Sequence, residues 1–139
     1  MSCNSAIYMV NNQSTDITTT TGTYAMVPLG NVVRRFGKRL RFANDAIEAY
    51  CSGYFSADVN CVLAPEATGE ITVQLFQDGF PVPGASATQT VSTAGNVTSF
   101  SIPALVRNCG CDCNSRLEVG VNASCTVENL ATRVEAVKN

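Results

Sequence analysis

The stretch Leu117-Glu118-Val119-Gly120-Val121-Asn122-Ala123-Ser124-Cys125-Thr126-Val127 decides the reading of this chain. Leu117, Val119, Val121, Ala123, Cys125 and Val127 occupy every second position, and the residues between them are polar or glycine. Side chains alternate between the two faces of a β-strand, so this pattern describes one buried and one exposed face. Residues 53–63 repeat it, with Phe55, Ala57, Val59, Cys61 and Leu63 on one side and Tyr54, Ser56, Asp58 and Asn60 on the other. Residues 130–137 alternate in the same way, Leu130, Thr132, Val134 and Ala136 against Ala131, Arg133, Glu135 and Val137.

Turn chemistry separates these runs. In residues 70–77 the alternation slips at Leu75-Phe76, which predicts a bulge or a two-sided position. Asp78-Gly79 is a strong turn dipeptide. Phe80-Pro81-Val82-Pro83-Gly84 reads as an edge or connecting segment, because proline cannot donate to a central ladder. Residues 97–106 carry a strand pattern that Pro103 interrupts. The longest helix candidate, residues 44–50, is short and suits a strand equally well. The first third is looser: residues 6–10 fit a strand, and the polar Thr-rich tract after them reads as a loop or edge strand. Residues 1–23 are a candidate extended N-terminal arm. Many short strands with regular turns indicate an all-β sandwich or barrel, here one domain over residues 1–139.

Composition narrows the chemistry. Charged residues make up only 14% of the 139 residues, against about 25% in an ordinary domain. Low charge on two-faced strands leaves apolar surface that a further subunit would cover. Net charge is −2, which argues against a nucleic-acid partner. The chain has no His, so Ser-His-Asp and Cys-His catalysis and His-ligated metals are ruled out. It has no G-x-S-x-G elbow or phosphate loop, and no carboxylate pair with acid/base spacing. The expectation is a non-enzyme without a cofactor. No apolar run approaches the ~20 residues of a membrane span. Met1-Ser2-Cys3-Asn4-Ser5 lacks the basic and apolar segments of a secretory signal, so synthesis in the cytoplasm without a signal peptide is expected.

Seven cysteines are an odd number, so at least one is free or paired between chains. Parity turns Cys61 and Cys125 inward, as small buried side chains or as partners of each other. Cys109, Cys111 and Cys113 sit two apart among Gly110, Asp112 and Asn114. They read as disulfide partners of Cys3, Cys51 or a neighbouring subunit, as thiolates pooled around a metal, or as plain reduced thiols. The C-x-C-x-C spacing with no second pair fits a zinc site poorly, and no metal is expected. Arg34, Arg35, Lys38, Arg39 and Arg41 supply five of the nine basic residues. Either they contact an acidic partner such as a capsid surface, a cell-wall polyanion or a nucleic acid, or they form salt bridges with Asp45, Glu48 and other acids within a trimer or at its base.

Residues 31–40 (Asn31-Val32-Val33-Arg34-Arg35-Phe36-Gly37-Lys38-Arg39-Leu40), then Asn44-Asp45-Ala46-Ile47, Gly53-Tyr54-Phe55, the run from Glu70 to Gly79, Val82-Pro83-Gly84-Ala85 and Cys109-Gly110-Cys111-Asp112-Cys113 resemble small proteins of Firmicutes and their prophages. Those proteins are similar to tumour-necrosis-factor and C1q-like jelly rolls, including terminal domains of spore-surface collagen-like glycoproteins. The resemblance covers roughly residues 30–137 and implies an antiparallel jelly-roll sandwich, a homotrimer, and a binding or structural role. Tyr50, Tyr54, Phe55, Phe76 and Phe80 are the aromatic candidates for a trimer face. The expected function is a trimeric decoration or fibre-like component on a phage or prophage particle. The alternatives are a cysteine-cross-linked spore or cell-surface appendage and a receptor- or glycan-binding trimeric head.

Overall fold

Asn44-Asp45 and Asp78-Gly79 each hold positive φ at both positions, 53° and 62° in the first pair and 54° and 83° in the second. That is the backbone of a two-residue hairpin turn whose twist matches the flanking strands. Asn44-Asp45 therefore closes a hairpin where residues 44–50 had been read as either helix or strand. The computed structural model describes residues 5–108 and 114–137. Among them lie strands β1 (Ala6–Asn11), β2 (Thr15–Ile17), β3 (Ala25–Met26), β4 (Asn31–Phe36), β5 (Leu40–Ala43), β6 (Ala46–Ala49), β7 (Gly53–Pro65), β8 (Gly69–Gln77), β9 (Phe80–Val91), β10 (Thr98–Asn108), β11 (Ser115–Val121) and β12 (Cys125–Ala136).

The first sheet runs β10-β7-β12-β1-β4, with β2 also paired to β12. The second runs β5-β6-β11-β8-β9, with β3 also paired to β11. All the pairings are antiparallel. The inward faces meet in one apolar core that includes Ile7, Met9, Phe55, Val59, Leu63, Ile71, Leu75, Leu117, Leu130 and Val134. Of the candidate arm, the described residues 5–23 contribute β1 to the interior of the first sheet, where Ile7 and Met9 are fully buried.

Pro81, Pro83 and Pro103 sit where the ladder tolerates them. β9 and β10 are edge strands of their sheets. Pro103 lies opposite Asp58 within an unbroken β10, so it does not interrupt that strand. The slip at Leu75-Phe76 is a register shift between Gln74 and Phe76. Gln74 is buried there, and its Nε2 donates to the Leu75, Val82 and Ala85 carbonyls at 2.7, 3.1 and 3.1 Å. One side chain thus satisfies the carbonyls that the bulge leaves unpaired.

The run Leu117–Val127 is not one strand. Leu117, Val119 and Val121 bury in the second sheet, while Cys125 and Val127 bury in the first. Asn122-Ala123-Ser124 carries the chain across. Asn122 Oδ1 accepts from Thr72 N at 2.8 Å, and Ser124 Oγ accepts from Thr19 N at 3.0 Å. The inward parity survives the crossing because both sheets face the same core.

Candidate functional site

The five basic residues do not form one patch. β4 places Arg34 opposite Tyr8, on the outward face of the first sheet, and Arg35 opposite Ile7, on the other side of the strand. Arg39 is built into the fold. Its Nη2 donates to the Ser52 carbonyl at 2.7 Å, its Nε reaches the Tyr50 carbonyl at 3.5 Å, and its guanidinium lies 4.8 Å from the Phe55 ring centre. Gly53 leaves room for it, since a Cβ there would come within 2.7 Å of Arg39 Nη2. Arg39→Ala is expected to destabilise the chain by about 1–3 kcal/mol through these bonds and the ring contact. A urea midpoint corresponding to less than about 0.5 kcal/mol would remove Arg39 from this structural role.

The remaining three converge. Arg35, Lys38, Arg41 and Tyr50 line an open cavity of about 340 Å³ beside the β4–β5 connection. Arg35 Nε donates to the Leu40 carbonyl at 2.7 Å. Arg41 Nε donates to the Tyr50 hydroxyl at 2.6 Å and stacks on its ring at 4.9 Å. The hydroxyl in turn donates to Glu48 at 2.5 Å. That bond is the main reason the Tyr50 phenol is held above its usual pKa; burial adds to it and Arg41 opposes it. Within one chain, and among the described residues, none of the five pairs with Asp45 or Glu48. Among the described residues, the ion pairs are those of Arg133 with Asp58 and with Glu135, the latter at 3.1 Å.

Cys61 and Cys125 are both fully buried and free. Cys125 pairs with Pro65 and Cys61 with Leu130, so they sit four positions apart along β7. At ~3.3 Å per residue their Cα atoms are about 13 Å apart, twice the reach of a disulfide, so they are not bonded to each other. Burial pushes Cys61 up to about 12, with Cys125 adding to the shift, and pushes Cys125 up to about 11, with Glu66 adding to it. A raised thiol pKa contributes stability that is complete below the unfolded thiol value of about 8.5–9 and is lost as pH rises through the folded values. The urea midpoint is therefore expected to fall between about pH 9 and pH 12, and a Cys61→Ala, Cys125→Ala variant should lose less over that range. An equal fall in both proteins would overturn the assignment. Cys51 is exposed and free, with φ of 69°, and its carbonyl accepts from Asn108 Nδ2 at 2.8 Å. Cys3, Cys109, Cys111 and Cys113 lie outside the described residues.

Sequence reasoning missed a larger cavity of about 610 Å³ on the outward side of the second sheet. Met26, Pro28, Phe42, Asp45, Arg116 and Glu118 are among its lining residues. Arg116 Nη2 donates to the Asn44 carbonyl at 2.6 Å, and its buried Nε has no partner. The segment that forms one wall, residues 26–30, has no periodicity, so nothing in the sequence flagged it.

The aromatic candidates scatter. Phe55 is core, and Phe76 packs edge-on against Tyr24 at 5.1 Å. Phe80 projects from the β8–β9 turn and Tyr50 belongs to the basic cavity. Tyr54 alone of the five stands on the outward face of the first sheet, opposite Arg107. Two aromatics that were not among the candidates, Tyr8 and Phe36, share that face, and so does Leu105. The groups between them are mostly small or uncharged: Ala6, Val10, Ala131, Ser56, Asn60 and Ser101. Near the middle Arg133 pairs with both Asp58 and Glu135, and Arg34 and Arg107 stand on the same face. The second sheet instead presents the charged row Arg41, Glu48 and Arg116 outward. Among the described residues no helix is long and apolar enough to cross a membrane.

No family model and no curated protein matches the chain. Solved structures do match in fold. Murine APRIL at pH 5.0 is similar with a TM-score of 0.71 at 11% identity, over 94% of this chain and 98% of that one. Eiger TNF from S. frugiperda is similar with a TM-score of 0.68 at 9% identity, over 97% and 93%. A PRD1 vertex protein is similar with a TM-score of 0.63 at 12% identity, over 97% of this chain and 73% of that one. The fold is an antiparallel jelly-roll sandwich of the tumour-necrosis-factor type.

Proposed function

We propose that this chain is a non-enzymatic structural module that assembles as a homotrimer and serves as a decoration or fibre-like head on the surface of a phage or prophage particle. The observation that carries the reading is the outward face of the β10-β7-β12-β1-β4 sheet. Phe36 and Leu105, 59% and 60% exposed, stand at the two ends of one cross-strand row through Ala6, Glu135 and Ser56. A sheet face with exposed apolar side chains at its ends and Arg133, Asp58 and Glu135 paired at its centre is suited to a repeated self-contact around an axis. The similarity to a PRD1 vertex protein supports a particle surface over a free soluble role. Exposed Cys51 keeps the cross-linked appendage, on a spore or cell surface, as the alternative. Mass spectrometry of purified virions and of purified spores from the source tests the assignment. Recovery of this chain in virions supports it, and recovery in spores alone replaces it with the appendage.

A further inference from the structure

We propose that the cavity lined by Arg35, Lys38, Arg41 and Tyr50 binds the oxyanion groups of an acidic polysaccharide. Three cations around one open cavity repel one another, and a bound anion would offset that repulsion. Here no carboxylate is within ion-pair distance of any of the three, among the described residues. Backbone and phenol hold the guanidinium groups instead. Leu40 occupies Arg35 Nε and the Tyr50 hydroxyl occupies Arg41 Nε. The terminal amino groups of both arginines are left to a ligand, in the fork that suits a sulfate, phosphate or carboxylate. Glu48 stands opposite Arg41 across the β5–β6 pair, is linked to it through the Tyr50 hydroxyl, and does not line the cavity.

The size and isolation of the site favour a glycan over a nucleic acid. Outside residues 34–41 the chain has four basic residues against eleven acidic ones. A nucleic acid carries a charge every few ångströms and would cross that acidic surface. A polysaccharide with spaced charged substituents can place one or two of them here, with neutral sugar over the remainder.

The test is binding of dextran sulfate, dextran phosphate and carboxymethyl-dextran, with unsubstituted dextran and a single-stranded oligonucleotide as comparisons. Calorimetry at low and at high salt gives the affinities, and the three substituted dextrans identify the preferred oxyanion. At least one substituted dextran is expected to bind at least tenfold more tightly than plain dextran and than the oligonucleotide, with binding weakened by salt. The Arg35→Gln, Lys38→Gln, Arg41→Gln variant should lose at least tenfold. Lys38→Gln alone, at a position with no partner to lose, should lose about threefold, while the charge-matched Arg107→Gln should lose none. Equal binding of plain dextran, stronger binding of the oligonucleotide, or equal losses in Lys38→Gln and Arg107→Gln would each overturn the proposal.

Discussion

Gly30→Ala is expected to cost more than about 4 kcal/mol and to leave much of the chain unfolded at 37 °C. Val27 donates its N–H to the Val119 carbonyl of β11 at 2.8 Å, and Asn31 pairs with Val10 of β1. The chain therefore passes from the second sheet to the first within residues 27–31, and Gly30 makes the corner with φ of 90°. A Cβ there would lie 2.3 Å from the Val10 carbonyl oxygen and 2.6 Å from Asn11 Cα. Both are backbone atoms at the end of a strand interior to its sheet, so neither can swing aside as a side chain would. Gly22→Ala is the control. Gly22 has the same φ of 90° with nothing within 4 Å of its Cβ position, so it isolates the left-handed backbone penalty of about 1–2 kcal/mol. Chemical denaturation of the two variants separates strain from collision. A Gly30→Ala cost within about 1 kcal/mol of the Gly22→Ala cost would show that the Val10–Asn11 backbone does not approach Gly30 so closely.

That corner also marks where the sequence stops being readable. Strands with one buried face announce themselves by parity, which is why β7 and most of β12 were legible. Parity says nothing about which sheet a strand joins. Leu117 to Val127 looks continuous because the chain changes sheets while keeping its apolar side toward a common core. A phase break was available further on: Val127 and Leu130 are both fully buried although three residues apart. The register shift between Val127 and Asn129 accounts for it, with Glu128 as the extra, exposed residue. Asn44-Asp45 was missed for a different reason. Its turn needs positive φ at two non-glycine positions, a conformation that Asn and Asp tolerate but do not advertise as Asp78-Gly79 does.

The basic cluster was legible as a concentration and opaque as a site. Proximity in sequence put Arg34 and Arg35 together, but alternation along β4 sends them to opposite sides. Arg39 is taken up by the Tyr50 and Ser52 carbonyls of a neighbouring segment that the spacing could not place beside it. What remains is a smaller set completed by Tyr50. The outward aromatic face was misread for a related reason. Aromatic residues were chosen by type, but Phe55 belongs to the inward parity of β7, and Tyr8 and Phe36 come from β1 and β4, whose pairing the sequence does not specify.

Ala131→Arg is expected to convert the proposed trimer into monomers without unfolding the chain. Ala131 sits on β12, the middle strand of the first sheet, between Val10 of β1 and Asn60 of β7. It points away from the core, so an arginine there meets solvent in the isolated chain and should change its stability by no more than about 0.5 kcal/mol. In the proposed trimer the same arginine would meet a neighbouring copy of the face. Three unpaired charges would then be desolvated around one axis, each at a cost of several kcal/mol. A standard-sized interface of about 1,600 Å² does not absorb that cost. Native mass spectrometry should give the unaltered protein three times the 14.7 kDa of one chain and the variant a single chain mass. Glu118→Arg, on the outward face of the second sheet, should remain trimeric. If the unaltered protein has the mass of one chain, assembly itself is overturned. If Ala131→Arg stays trimeric while Glu118→Arg dissociates, the contact belongs to the second sheet, whose charged outward row would then have to find partners in the next subunit.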